Sequence, residues 1–296
     1  MEKLTAKDHF LKGLNLFILL VFTVACFYPL YYIFINAFSS ADAIVRGVYL
    51  IPSEFTTVYF NSLLDYSSLF NSVFISTMRT VFGTIITVLC STYLGYMVTR
   101  KDLPFRKGIY RYIIITMYLG AGLIPWYILM KDLGFKNNFL LYIIPGAVNA
   151  FDVVLVKTYV ESIPPALEES AEIDGAGVLT IFFKLIIPLS LPIVASLTIF
   201  SAVGQWNTWS DNFYLVSDPK LCTLQYLLYK CLQSNMSNVT NSISNIRDSA
   251  ASNHTNITPT GLQDAMTVIT VLPILVVYPF MQKYFTKGIM LGAVKG

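Results

Sequence analysis

The chain has 296 residues, of which 55% are hydrophobic and only 12% are charged, and its formal net charge is +3. Soluble domains carry about 25% charged residues, so this composition argues against a soluble enzyme or binding domain and is typical of a polytopic membrane protein. The small excess of Lys and Arg is what cytoplasmic loops of such a protein produce, and it gives no reason to expect nucleic-acid binding.

Six segments are long and apolar enough to cross a membrane, which requires about 20 residues each. They are residues 13–38, 70–98, 108–130, 139–159, 185–204 and 266–285. The first is too long for the apolar region of a signal peptide, so we interpret it as a retained span. The sequence therefore predicts an all-α integral membrane protein, with a tail at residues 1–12 and a transmembrane domain at residues 13–296.

The distribution of Lys and Arg predicts the orientation of these segments. Basic residues are concentrated in the N-terminal tail, in the connection "TRKDLPFRKGIYR" and in the C-terminal tail. With six spans, these three parts lie on one side of the membrane, which is then the cytoplasmic side. Both termini are expected to be cytoplasmic.

Two long loops interrupt the apolar pattern. Residues 205–265 form an extracytoplasmic loop whose Ser-, Asn- and Thr-rich tract cannot bury a core and is predicted to be mobile. A disulfide between Cys222 and Cys231 is one option in this loop, and two unbonded thiols are the other. The second long loop, residues 160–184, lies on the cytoplasmic side.

The cytoplasmic loop reads "VESIPPALEESAEIDGAGVLTIFFKLIIPLSLP" from residue 160. Ser162 is a candidate N-cap, and the following prolines suit the first turn of a helix over Ala166–Asp174. Gly175 is predicted to end this helix in a left-handed conformation, and a second helix begins near Val178. The acid-rich helix is interpreted either as a docking element for a partner with basic or donor groups, or as a solvated surface helix.

The residues of this loop resemble the EAA motif of ABC importer permeases. That motif is Glu-Ala-Ala, three residues, Gly, nine residues and Ile-x-Leu-Pro, and here Gly175 and Pro188 have the same spacing from Glu169. The departures are Ser170, Leu185 and Ile187, which are conservative in size or polarity. The stretches "GLIPWYILMKDLGFKNNFLLYIIPGA" and "YPFMQKYFTKGIMLGAVKG" are also similar to carbohydrate-uptake permeases related to the maltose permease subunits.

The resemblance implies a type I ABC importer permease fold in a bacterial cytoplasmic membrane. The chain would pair with a second homologous permease subunit, two ATP-binding subunits and an extracytoplasmic solute-binding protein. It would import an oligosaccharide or glycoside and bind no cofactor itself, with ATP and Mg held by the ATPase partners. The alternatives are another solute carried by the same machinery, or an ion-coupled secondary transporter working alone.

The resemblance also assigns expected roles to the cytoplasmic loop. Its helix would be a coupling helix seated in a cleft of the ATPase, with Glu169 paired to a basic residue there. Gly175 would set the elbow that moves the fifth span, and Asp174 would brace it. Glu168 and Glu172 are expected to be solvated. The residues expected to couple to the ATPase are Glu169, Ser170, Ala171, Asp174, Gly175 and Ala176.

Two charges inside predicted spans are candidates for the substrate path, because intramembrane charge is costly and marks functional positions. Arg79 and Asp152 either pair with each other or each face an aqueous cavity. In "GQWNTWSDNFY" the aromatic and amide side chains of Trp206, Asn207 and Trp209 suit a sugar, although Trp is also common at any membrane interface.

Catalysis by this chain is not expected. The sequence has no GxxxxGK[ST] phosphate loop, no HExxH motif and no Cys-rich metal pattern. Its two histidines, His9 and His254, lie in polar segments. We therefore predict no catalytic residue and no metal site, and a transport subunit rather than an enzyme.

Overall fold

The computed structural model describes residues 6–233 and 257–288. Within these ranges the secondary structure is entirely helical, which confirms the predicted all-α class. The described residues form two compact units. The first contains residues up to Ser67 together with those from Lys230 to Leu272, and the second contains Ser68–Tyr229 and those from Pro273 onward.

The α-helices of the described residues vary widely in length. In chain order they are α1 (Ala6–Ala37), α2 (Ala41–Arg46), α3 (Val58–Leu64), α4 (Ser67–Met97), α5 (Arg106–Tyr118), α6 (Leu123–Asp132), α7 (Ala150–Val160), α8 (Pro165–Ile173), α9 (Val178–Ile181), α10 (Ile187–Leu189), α11 (Leu191–Asn207), α12 (Ser210–Leu215), α13 (Leu224–Gln233) and α14 (Pro259–Gly288). Most of the predicted polar tract of the outer loop lies outside the described residues. Cys222 and Cys231 both keep their thiols, so the disulfide option is wrong.

Three described helices are long and apolar enough to cross a membrane, and the number rises to five if each of two bent helix pairs is one span. The three are α1, α4 and α14, which match the first, second and sixth predicted segments. In α1 only 6% of the most apolar window is buried within the protein. Its exposed Leu, Phe and Val side chains therefore need lipid around them.

The third and fifth predicted segments are broken helices. The third consists of α5 and α6, bent by 119° at a break that contains Gly122, whose φ of +81° suits a residue without a Cβ. The fifth consists of α9, a π-helical turn and α10, followed after an 86° bend by α11. Pro188 and Pro192 flank this bend, and each lacks the N–H that would continue the helical hydrogen bonds.

The fourth predicted segment is not a continuous helix. Residues 139–142 form a single 3-10 turn, residues 143–149 are irregular, and α7 has only 11 residues. A helix of that length extends about 16 Å, well short of the roughly 30 Å hydrocarbon core of a bilayer. Hydropathy predicted one span here because it does not register the helix-breaking effect of Pro145 and Gly146.

Side chains of α4 satisfy the irregular backbone before α7. The hydroxyl of Thr87 donates a 2.7 Å hydrogen bond to the carbonyl of Gly146, and the hydroxyl of Ser91 accepts a 3.0 Å bond from the N–H of Asn149. Non-helical backbone is tolerated at membrane depth only where protein or a cavity satisfies its polar groups. The two hydroxyls of α4 meet that condition.

In the first unit, α3 packs closely on the start of α14. The hydroxyls of Tyr59 and Thr258 lie 3.0 Å apart and hydrogen bond. Gly261 faces the Tyr59 ring so closely that a Cβ at this position would lie 2.3 Å from it. Gly261 is therefore required for this contact.

In the second unit, a buried cluster joins α4, α7, the π-helical turn and α11. Tyr96, Val156, Phe182 and Leu197 are among its fully buried members. Gly95 allows α4 to approach α7, because a Cβ at Gly95 would lie 2.7 Å from the side chain of Val156. Ala171 in the last turn of α8 and Ala176 just after that helix pack against this cluster, which therefore fixes the base from which α8 projects.

Candidate functional site

The acidic loop folds largely as the sequence predicts. Helix α8 begins at Pro165 and ends in a Schellman motif. Gly175 has a φ of +82° and donates its N–H to the carbonyl of Glu172, while Ala176 donates to Ala171. The left-handed glycine is confirmed. The predicted cap is wrong, because the Ser162 hydroxyl donates to the carbonyl of Tyr159 instead of receiving from the start of α8.

Two carboxylates of α8 bind Arg100, just beyond the C-terminal end of α4. The guanidinium donates through Nη1 to Glu168 at 2.9 Å and through Nη2 to Glu172 at 2.8 Å. The hydroxyl of Tyr96 donates a further 2.6 Å bond to Glu168. Asp102 binds the same guanidinium, whose side chain is only 8% exposed. We call this group of residues the Arg100 clasp.

The clasp corrects the expectation that Glu168 and Glu172 are solvated. Burial by itself would lower the pKa of Arg100, but the hydrogen bonds that its guanidinium donates to Asp102, Tyr96 and Glu172 outweigh burial and raise that pKa. The hydrogen bond from Arg100 lowers the pKa of the Asp102 carboxyl. Arg100 and Asp102 are therefore both charged at neutral pH.

A neighbouring face of α8, about 100° around the helix from the clasp, is open. Glu169 is exposed and contacts no partner among the described residues, and Ile173, one turn further on, is 86% exposed. Ser170 bonds back to the carbonyl of Ala166, and Asp174 is exposed at the helix end with its N–H bonded to Ser170. Of the predicted coupling residues, Ala171 and Ala176 instead pack against the chain's own core. We call Glu169 and Ile173 the outward face of α8.

A second feature is a cavity of about 440 Å³ within the second unit. It is bounded by α4, the irregular segment before α7, the start of α7, the end of α11, and α12. Both predicted intramembrane charges, Arg79 and Asp152, line it. The two do not pair with each other, because the ion-pair partner of Arg79 is Asp211.

Arg79 is held by a dense set of bonds on one wall of the cavity. Its ion-pair partner is Asp211, with Nη2 donating at 2.6 Å and Nη1 at 3.1 Å in a two-pronged arrangement. Nε donates to Gln205 at 3.1 Å, and Nη1 also donates to the carbonyl of Thr208 at 3.0 Å. The guanidinium lies 4.7 Å from the centre of the Tyr142 ring. This arrangement fixes Arg79 and neutralises its charge.

Asp152 lines the cavity from the first turn of α7. The residue is 6% exposed, and no described residue forms an ion pair or a side-chain hydrogen bond with its carboxylate. Asn149 caps the helix start through bonds to the backbone N–H groups of Phe151 and Asp152. The cap fixes the position of the carboxylate without neutralising it.

The predicted aromatic candidates lie elsewhere. Trp206 lines a separate apolar groove with residues of α14, Asn207 is exposed, and Trp209 stacks on Tyr229 with ring centres 4.0 Å apart. Trp126 of α6 lines the cavity instead. The sequence feature that could have identified Trp126 is the short stretch "IPWY", which lies inside a predicted span.

Comparison with known proteins places these two features in a family. Residues 88–291, more than half of the chain, match the model of the binding-protein-dependent transport system inner membrane component family. The chain belongs to this family. It is a permease of the ABC transporter type, and both α8 and most of the cavity wall fall inside the matched residues.

Similar permeases are known from Bacillus subtilis strain 168. The polygalacturonan/rhamnogalacturonan transport system permease protein YtcP is 32% identical, with 94% of this chain and 96% of YtcP aligned. The melibiose/raffinose/stachyose import permease protein MelC is 28% identical, with 96% of this chain and 98% of MelC aligned.

A crystal structure of a bacterial ABC transporter involved in the import of the acidic polysaccharide alginate contains a similar chain. The two chains share 29% identity and superpose with a TM-score of 0.88, over 96% of this permease and 100% of the other chain.

Proposed function

We propose that this permease imports an oligosaccharide or glycoside, driven by ATP hydrolysis in two separate ATPase subunits that hold ATP and Mg. A second homologous permease completes the pathway, and an extracytoplasmic solute-binding protein delivers the sugar. The proposal of a sugar cargo is supported by the similar permeases YtcP and MelC, whose names specify polysaccharide and oligosaccharide cargo. The observation that carries the proposal is the outward face of α8, which presents an acid and an apolar residue on the loop that resembles the coupling motif.

The outward face suits a partner cleft with a basic and an apolar wall. An exposed Ile at a helix end is unremarkable alone, but here it lies one turn from an unpartnered carboxylate on a helix whose other face is held by its own chain. Glu169 pairs with a basic group of the ATPase, and Ile173 fills an apolar recess beside it. Asp174 and Ser170 complete the end of the docking surface.

Two connections transmit the motion of α8 into the membrane. Gly175 and the short helices after it lead into α11, as the sequence predicts. The Arg100 clasp adds a connection to α4, so closure of the ATPase moves the ends of both helices. The cavity lies between α4 and α11 in the second unit, so this movement biases the equilibrium between inward-open and outward-open states.

The topology that serves this mechanism has six crossings of the bacterial cytoplasmic membrane with both termini in the cytoplasm. The two bent helix pairs each make one crossing. The fourth crossing is made by the irregular segment and α7 together, because the cavity and the hydroxyls of α4 satisfy the non-helical part.

Purification of the tagged permease from its native membrane tests the docking step. The ATPase subunits are expected to co-purify, and Glu169→Gln is expected to lower their recovery. Glu161→Gln is the matched control, because Glu161 lies in the same loop but binds Lys157 of its own chain. Equal recovery from Glu169→Gln and Glu161→Gln would contradict the assigned role of Glu169, and a chain that transports without ATPase subunits would contradict the proposed function.

A further inference from the structure

The cavity wall contributed by this chain carries an unbalanced negative charge. Among the described residues that line the cavity, three are charged: Arg79, Asp211 and Asp152. Arg79 and Asp211 neutralise each other at 2.6 Å, so the remaining charge is the carboxylate of Asp152.

The charge of Arg79 is already committed to Asp211, so it offers little to an anionic ligand. A guanidinium has five N–H donors in a fixed fork. Four of these five are used, because Nε donates to Gln205, Nη1 donates to Asp211 and to the carbonyl of Thr208, and Nη2 donates once to the second oxygen of Asp211. The side chain is only 4% exposed, and Tyr142 covers its face. A sugar carboxylate would have to displace a bidentate ion pair to reach it.

The carboxylate of Asp152 acts on the cavity with little screening. Asp152 is 94% covered, and no described residue bonds to its side-chain oxygens. A charge surrounded by protein interacts more strongly with a ligand than one in bulk water. The polar neighbours on the wall, Asn149, Ser201 and Gln205, are neutral and can bond sugar hydroxyls.

We infer that this wall is a charge filter, which accepts neutral or amine-bearing glycans and rejects glycans rich in uronate. The inference rests on the proposed import function and specifies its substrate class. The similar proteins differ in the charge of their cargo, since YtcP and the alginate importer are named for acidic polymers and MelC for neutral oligosaccharides. Asp152 is the residue that determines the selection.

The test is competitive uptake by the complete importer in liposomes, with its own binding protein and ATP inside. The probe is an equimolar pool of neutral, uronate and amino-sugar oligosaccharides of defined length, and mass spectrometry measures what accumulates. The wild type is expected to accumulate uronates at least about tenfold less than neutral glycans, and Asp152→Asn to reduce that ratio about tenfold. Asp152→Glu keeps the charge and is expected to keep the ratio.

A matched control separates this effect from a general loss of charge. Asp132→Asn makes the same chemical change at an exposed site at the end of α6 and is expected to leave the ratio unchanged. Uronates accumulating as well as neutral glycans in the wild type, or the same ratio in Asp152→Asn, would overturn the charge filter alone. If no member of the pool accumulates with ATP, the proposed import function fails and the filter with it.

Discussion

Replacing Arg100 with Ala should detach α8 from α4 without unfolding either helix. The substitution removes charge-assisted hydrogen bonds to Glu168 and Glu172, each of which contributes about 1.5–3 kcal/mol when well buried. The acceptor side chains are 28% and 45% exposed, so solvent screening reduces the total. We expect a loss of about 2 kcal/mol in the docking of α8, which corresponds to about a 30-fold change in its opening equilibrium.

Hydrogen exchange of the permease complex in nanodiscs measures this change directly. The amides of α8 should lose about 30-fold of their protection in Arg100→Ala, whereas those in the middle of α4 should be unaffected. Arg100→Lys keeps the charge but loses the planar fork, so an intermediate value is expected. The neighbouring exposed Lys101→Ala is the control, because no contact is assigned to its side chain in the described structure.

The functional consequence is uncoupling. The Arg100 clasp is one of two connections between α8 and the membrane helices. A complex that carries Arg100→Ala should therefore hydrolyse more ATP for each sugar molecule imported than the wild-type complex does. If the amides of α8 are as protected from hydrogen exchange in Arg100→Ala as in the wild type, the clasp does not anchor α8. Lost protection with an unchanged ratio of ATP to sugar would refute its part in coupling.

Three further substitutions test the loop and its base. Gly175→Val forces a branched residue into φ +82°, so it should abolish uptake while the subunit still inserts, whereas Gly177→Val, at φ −74°, should retain most of it. Gly95→Val should lower the melting temperature of the purified permease, because it introduces a clash with α7, while Gly108→Val meets no atom within 4 Å and should not. Ile173→Ser should lower the amount of co-purified ATPase without changing the helicity of the permease, and an unchanged yield would remove this residue from the docking surface.

Hydropathy was sufficient to find α1, α4 and α14, because each is one uninterrupted apolar helix. At residues 139–159 hydropathy marks an apolar segment but does not show that a helix forms only from Ala150 onward, after Pro145 and Gly146. The break is tolerated because Thr87 and Ser91 of α4 bond to the exposed backbone, and that pairing depends on packing. A single sequence does not reveal which distant hydroxyls meet a broken helix.

In the candidate site, too, local features could be predicted from the sequence, whereas features that depend on tertiary packing could not. Turn chemistry predicted α8 and its left-handed glycine, since both depend on neighbouring residues. Which face of α8 the protein covers depends on where Arg100 lies, so Glu168 and Glu172 were misassigned. Arg79 and Asp211 are 132 positions apart, and the bend before α11 and the turn into α12 bring them together. The partner of an intramembrane charge is therefore a tertiary property, even where the charge itself is visible in the sequence.

The most direct test of the account is uptake of a labelled oligosaccharide into liposomes that contain this permease, its permease partner and both ATPase subunits. With the loaded binding protein outside and ATP inside, the sugar should accumulate against its gradient, and accumulation should stop when a nonhydrolysable ATP analogue replaces ATP. Accumulation that needs an ion gradient and no ATP would contradict the account, because this chain would then be a secondary transporter.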